Sequence, residues 1–304
     1  MKALRVHAWG EPPRFEELPP PTRSMGKSLV RVHAASVGHI EHTIWGGRFA
    51  LRPPLPYVPG TEAAGVVLEG ERFAPGTRVW LRGAGLGTRG DGTWREVADV
   101  PDAALGLLPD PVEFPLGAAF FSPCTAAWCA LHDLGQWRNG ETVLVTGAGG
   151  AVGSVVLQLA REAGANVQAL VTPGSRALAA DVPQVGVDDL RPNAALLIDT
   201  VGGPVLPQAL RGVAPGGRAV LVGYAAGREP PLDLAELMLR DVALLPLNMV
   251  RREAAARARA PELLDRLADG RLRLAVETHP FEQAVELLPQ LDRRRGGARP
   301  VLVL

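Results

Sequence analysis

The chain has 304 residues, enough for two domains with separate cores. Hydrophobic residues make up 47% and charged residues 21%, a globular composition with no signature of extended disorder. Lysine plus arginine and aspartate plus glutamate number 32 each, so no net field draws a polyanion, and neither nucleic acid nor an anionic membrane is an expected partner.

The opening Met1-Lys2-Ala3-Leu4-Arg5-Val6-His7 has no apolar h-region behind it, so no signal peptide is expected. Residues 1–112 read as β-rich, with short apolar runs at 29–32, 63–68, 77–81 and 95–100 separated by glycine and proline. The segment 83–92 holds five glycines but no following lysine and hydroxyl residue, the mark of a flexible surface loop rather than a phosphate cradle. The longest apolar stretch, about 116–131, contains Ser122, Pro123 and Thr125 and falls short of a membrane span. Cys124 and Cys129 lie inside it, on neighbouring turns if it is helical, and read as small buried hydrophobes suited to a reducing cytoplasm.

From about residue 113 strand and helix alternate. Residues 142–146 form a short buried strand ending in glycines, and Val152, Val155, Val156, Leu159 and Ala163 continue at helical spacing until Gly164. Further strands are predicted at 166–171, 194–199 and 218–222, with a last one at 242–247 that Pro246 confines to an edge or ends early. This alternation implies a parallel sheet covered on both faces. Only 24 residues separate Val171 from Leu196, and they include Pro173, Pro183 and Pro192, so the middle of the unit is trimmed. Helices near 261–267 and 281–288 and a strand at 300–304 then predict a return to the first domain. The expected organisation is α/β: a catalytic domain at 1–112, a doubly wound Rossmann sheet at 113–250, and a return to the first domain at 251–304.

The run Thr146-Gly147-Ala148-Gly149-Gly150-Ala151-Val152-Gly153 sits where a strand hands over to a helix. A pyrophosphate needs close backbone approach and a helix N-terminus with unpaired N–H groups. Gly147 permits the tight turn, Gly150 clears the path of the phosphate, and Gly153 lets the helix pack on the sheet. At the end of the second strand, Val171-Thr172-Pro173-Gly174-Ser175-Arg176 offers no carboxylate for the ribose hydroxyls of NAD. Ser175 and Arg176 suit a 2′-phosphate, so the expected cofactor is NADPH.

With that motif placed, the whole chain resembles the zinc-free quinone oxidoreductase (zeta-crystallin-like) branch of the medium-chain dehydrogenase/reductase superfamily. The likeness rests on Met1-Lys2-Ala3, Val32-His33-Ala34-Ala35-Ser36-Val37 and Pro59-Gly60-Thr61-Glu62-Ala63-Ala64-Gly65-Val66-Val67. It continues through Gly76-Thr77-Arg78-Val79, Asp199-Thr200-Val201-Gly202-Gly203 and Ala214-Pro215-Gly216-Gly217-Arg218. The resemblance implies a GroES-like β-barrel catalytic domain beside the Rossmann domain, an active site in the cleft between them, and a homodimer paired through the 242–247 edge. It also implies cofactor contacts from His39, Thr125, Ala151, Val152 and Thr172. Val201, Gly223, Tyr224 and Asn248 complete that set.

Zinc-dependent relatives carry ligands at the equivalents of Gly38, Thr61 and Phe121 or Ser122; none of these residues is a ligand of that type, so no metal is expected. His39, Glu41 and His42 form a local cluster, read as a surface or cleft feature, with a phosphate contact as the functional reading of His39. The substrate mouth departs from the family in Gly38, Thr43, Trp45 and Phe49 and becomes more apolar. Trp45, Phe49 and Tyr57 read either as a platform for a flat acceptor or as barrel core. The expected reaction is hydride transfer from NADPH to a quinone or related conjugated carbonyl. Two alternatives stay open: an enal or enone reductase drawing a proton from Tyr57, Thr43 or His42, and an NADPH-binding protein without turnover.

Overall fold

In the computed structural model, which describes residues 1–172, 181–291 and 296–304, two sheets divide the chain. The first contains β3 (Lys27–Ser36), β4 (Glu62–Glu69), β5 (Arg78–Arg82), β6 (Val97–Pro101) and β7 (Leu105–Leu107), joined by β14 (Val276–Pro280) and β15 (Arg299–Val303). Its path runs β14-β15-β3-β4-β5-β7, with β6 also on β3, and a separate ribbon of β1 (Lys2–Arg5) and β2 (Arg14–Glu17) lies alongside. The apolar runs that predicted these strands supply one core, in which Val30, Val32, Val67, Val79, Leu81 and Val100 meet Trp94.

The segment 83–92 is a packed turn, which corrects its reading as a flexible loop. Leu86 is buried, the Gly92 N–H donates to the Val58 carbonyl at 2.7 Å, and the Val58 N–H donates to Asp91 at 2.9 Å. Its glycines let it fold back on the 58–61 strand entry; they do not loosen it.

The second sheet is parallel throughout. It comprises β8 (Thr142–Thr146), β9 (Asn166–Val171), β10 (Gln184–Gly186), β11 (Ala194–Asp199), β12 (Val213–Leu221) and β13 (Ala243–Pro246), in the order β10-β9-β8-β11-β12-β13. That is the doubly wound Rossmann order, with its switch point between β8 and β11. The trimmed middle still supplies a third strand, the short β10. Helix α4 (Ala151–Glu162) links β8 to β9, α5 (Val205–Leu210) links β11 to β12, and α6 (Leu234–Leu239) leads from β12 into β13.

Near residue 113 the division is less sharp than the sequence suggests. Helix α2 (Phe114–Ala119) packs on β3 and β4 of the first sheet, and only α3 (Phe121–Trp128) turns to α4. At the far end, α7 (Glu253–Ala268) buries Ala256, Ala260, Leu263, Leu264 and Leu267 in the Rossmann-side core and lies against α3. Arg257 of α7 also reaches the Arg82 carbonyl of β5, and the next strand of the first sheet, β14, begins at Val276. Helix α7 also starts eight residues before the predicted 261 and runs through Pro261, because its apolar stripe is continuous across the proline. The remaining helices, α1 (His39–Trp45) and α8 (Ala284–Gln290), pack by the first sheet.

Candidate cofactor and substrate site

The tip of β8 turns at Gly147 with φ +62, a left-handed value that favours glycine. A Cβ there would lie 2.3 Å from the Thr200 hydroxyl, and one on Gly153 would lie 2.2 Å from the Gly147 carbonyl. A side chain at Gly153 would drive α4 off the tip of β8, and one at Gly147 would push the turn away from Thr200 and Val201. At Gly150, the residue capping α4, the nearest atom to a Cβ is the Gly147 carbonyl at 3.2 Å, with open space beyond. The first-turn N–H groups of Ala151, Val152 and Gly153 have no intrahelical acceptors and point along the positive end of the helix dipole. This cradle fits a dinucleotide pyrophosphate.

A second feature holds the cradle. Thr146 donates its hydroxyl to Asp199 at 2.5 Å, and Asp199 also accepts the Gly202 N–H at 2.9 Å. The Thr200 N–H returns to the Thr146 hydroxyl at 3.0 Å, and the Thr200 hydroxyl donates to the Thr146 carbonyl at 2.9 Å. Asp199 thus ties the ends of β8 and β11 together across the switch point. Burial pushes its carboxyl above the usual range, against the pull of the Thr146, Val201 and Gly202 hydrogen bonds. Sequence reasoning placed Asp199 in a motif but gave it no role; a buried acid ending a strand was the available signal.

The other expected cofactor residues divide. Val201 and Gly223 lie at the same strand ends, where a Cβ on Gly223 would stand 2.4 Å from the Thr200 carbonyl, and Tyr224 beside them is half exposed. Thr172 follows the tip of β9. His39 is exposed at the start of α1. Thr125 is fully buried and donates its hydroxyl to the Phe121 carbonyl at 2.6 Å, which commits it to its own helix. Asn248 accepts the Arg251 N–H at 3.1 Å. Ser175 and Arg176 lie outside the described residues.

In the first domain, two buried carboxylates organise the polar groups. Glu41 accepts the Gly38 N–H at 2.8 Å and, from Thr61, the N–H at 2.9 Å and the hydroxyl at 2.6 Å. Burial raises its carboxyl above the ordinary range. Glu62 pairs with Arg299 at 2.6 Å and Arg82 at 3.1 Å, and accepts both the N–H and the hydroxyl of Ser122. Arg299 spends its other terminal nitrogen on the Ala119 carbonyl at 2.6 Å. The positions equivalent to zinc ligands therefore do meet, around this network, but as a glycine and two hydroxyls already donating to carboxylates. That donor set does not fit a catalytic zinc. Among the described residues no three of His, Cys, Asp and Glu gather as a metal group.

The five expected substrate residues all lie on or beside α1. His42 is buried; its Nδ1 stands 3.1 Å from Arg48, so that nitrogen is the acceptor. The Thr43 hydroxyl donates to the His39 carbonyl at 2.7 Å, and the Trp45 indole donates to the Glu11 carbonyl at 2.6 Å. Tyr57 forms a small core with Val6 and Ile44, against which Trp9, Trp45 and Phe49 pack. Its hydroxyl is buried with no hydrogen-bond partner among the described residues, and burial pushes the phenol to a higher pKa. Both facts argue against Tyr57 as a proton donor. Of the two readings offered for Trp45, Phe49 and Tyr57, core describes Tyr57. Ser122, half-buried on Glu62, is the hydroxyl that sequence reasoning named only as a missing ligand.

Two surface cavities, about 510 Å³ beside Arg78 and Leu107 and about 270 Å³ beside Arg138 and Arg218, are lined by none of these residues. Among the described residues no helix is long and apolar enough to cross a membrane.

Comparison with known proteins agrees with this architecture. The alcohol dehydrogenase GroES-like domain family matches residues 24–110. The quinone oxidoreductase of Mus musculus is 30% identical over 275 residues, covering 82% of this chain and 80% of that protein. Among solved structures, quinone oxidoreductase from Pseudomonas syringae superposes with a TM-score of 0.86 at 26% identity, over 100% of this chain and 99% of that one. The Thermus thermophilus quinone oxidoreductase, solved alone and with NADPH, gives 0.79 at 29% identity over 100% of both chains. This chain is an oxidoreductase and belongs to the quinone oxidoreductase family, in the zinc-free branch of the medium-chain dehydrogenase/reductase superfamily.

Proposed function

We propose that the protein uses NADPH to reduce a quinone or related conjugated carbonyl without a metal. The observation that carries this reading is the turn at Gly147, Gly150 and Gly153, where α4 packs too closely on the tip of β8 to admit a Cβ at Gly147 or Gly153, and the first-turn N–H groups of α4 have no intrahelical acceptors. NADPH, when bound, supplies the hydride from its nicotinamide ring. The chain's own work is to hold the pyrophosphate at the start of α4, flank the nucleotide with Val201, Gly223 and Tyr224, and shield the cleft from water.

A quinone draws its protons from solvent or a nearby hydroxyl and needs no dedicated acid. An enal or enone must also be protonated at carbon; of the expected donors, Tyr57 is buried, the Thr43 hydroxyl is given to the His39 carbonyl, and His42 is buried with Nδ1 on Arg48. The geometry therefore favours the quinone. The free, buried Cys124 and Cys129 suit a cytoplasmic setting.

The choice of NADPH over NADH rests on Ser175 and Arg176 at the end of the second Rossmann strand. A guanidinium on the 2′-phosphate makes charge-assisted bonds worth roughly 1.5–3 kcal/mol each. Arg176→Ala should weaken NADPH binding by about tenfold to a hundredfold and leave NADH nearly unchanged. Fluorescence titration of both cofactors into wild type and variant checks this; an unchanged affinity ratio removes Arg176 from the site.

The same reading includes a homodimer. The outer edge of β13 pairs with no strand among the described residues, and α6, which leads into it, exposes Leu234, Met238 and Leu239 at 62%, 77% and 87%. A second copy, meeting this edge across a two-fold axis, would cover both. Light scattering should report twice the chain mass at micromolar protein; a monomer contradicts it.

A further inference from the structure

The glycine-rich turn is also touched from the other domain. Gly296 and Gly297, which lead into β15 of the first sheet, reach it with φ of +70 and +93, and the Gly297 N–H donates to the Gly149 carbonyl at 2.7 Å. The fit is close: a Cβ on Gly296 would stand 2.9 Å from that carbonyl. Within the turn, the Gly147 carbonyl already accepts the Gly150 N–H at 2.8 Å.

The consequence for an anion is electrostatic. A carbonyl aimed at a phosphate repels it, and a free peptide plane beside the cradle could rotate to present one. The planar peptide that carries the Gly149 carbonyl carries the Gly150 N–H on its opposite edge. The hook on the carbonyl and the Gly147 carbonyl on the N–H therefore hold that plane from both edges, at the residue that caps α4 and its unpaired first-turn N–H groups.

We propose that the Gly296–Gly297 hook is a positioning element of the dinucleotide site, so that pyrophosphate affinity depends on how the barrel-side chain docks on the turn. The proposal rests on the reading of that turn as a cofactor cradle. Because the pyrophosphate is common to both nicotinamide cofactors, disturbing the hook weakens NADPH and NADH alike, unlike a change at the 2′-phosphate.

The test is titration of NADPH and NADH into wild type, Gly296→Ala and Gly216→Ala, with a melting curve for each. Gly216 has a similar φ of +74 with nothing within 4 Å of a Cβ, so its alanine variant carries the backbone strain without touching the turn. Gly296→Ala should bind both cofactors about three- to tenfold more weakly, the range of one lost hydrogen bond. Gly216→Ala should bind as wild type even where its melting temperature falls equally. In turnover, Gly296→Ala should raise the cofactor KM and leave kcat at saturating cofactor unchanged. Should Gly296→Ala fail to fold, amide exchange of wild type decides: the Gly297 amide should exchange more slowly with NADPH present. Wild-type affinity in a folded Gly296→Ala, or Gly297 exchange indifferent to bound NADPH, overturns the hook alone. A wild type that binds neither cofactor overturns the cradle reading as well.

Discussion

On the Rossmann wall, the groups offered to a ligand are the first-turn N–H groups of α4, set close to the tip of β8 by Gly147 and Gly153 and held by the Thr146–Asp199 bond. On the barrel wall the polar groups are side chains locked onto one another: Glu41 on Thr61, and Glu62 on Arg299, Arg82 and Ser122. One wall is made by leaving side chains out, the other by fitting them together. The two should therefore fail in opposite ways, the first when a methyl group is added and the second when a side chain is removed.

The largest effect is expected on the barrel wall. Arg299→Ala leaves the fully buried Glu62 without its shortest ion pair and also frees the Ala119 carbonyl. Breaking a buried pair in this way costs about 3–5 kcal/mol. Urea unfolding should show the midpoint falling accordingly; a loss below about 1 kcal/mol, typical of an exposed pair, would show that the network does not hold this wall.

On the Rossmann wall the complementary change is Gly153→Ala. Its methyl group would meet the Gly147 carbonyl, and the resulting shift of α4 costs about 1–3 kcal/mol. Taken up in the cradle, that is about fivefold to 150-fold in NADPH affinity. Titration of a folded variant that binds as tightly as wild type would erase the contrast between the walls.

The same contrast explains how much was legible in the chain. A backbone site leaves its mark in glycine placement beside a strand and a helix, so the turn, the parallel sheet and the flanking strands could be read from local pattern. Side-chain sites depend on which way each residue faces, and tertiary packing decides that. Tyr57 reads in sequence equally as acceptor platform or as core, and only the fold places it in a core with Val6 and Ile44, while Thr125 turns its hydroxyl back into α3. Glu62 and Arg299 are far apart in the chain, and no local period links them. Pro261 reads as a helix start, whereas the stripe from Ala256 to Leu267 carries α7 through it. The contact of Gly297 with Gly149 joins two glycines whose conformations only the fold reveals.

The central claim is zinc-independent reduction of a quinone by NADPH, and its most direct test is NADPH oxidation by flavin-free protein with p-benzoquinone as acceptor, with and without EDTA. The account predicts quinone-dependent oxidation that the chelator leaves intact. Tight NADPH binding without any quinone-dependent oxidation, or oxidation abolished by EDTA and restored by zinc, would contradict it.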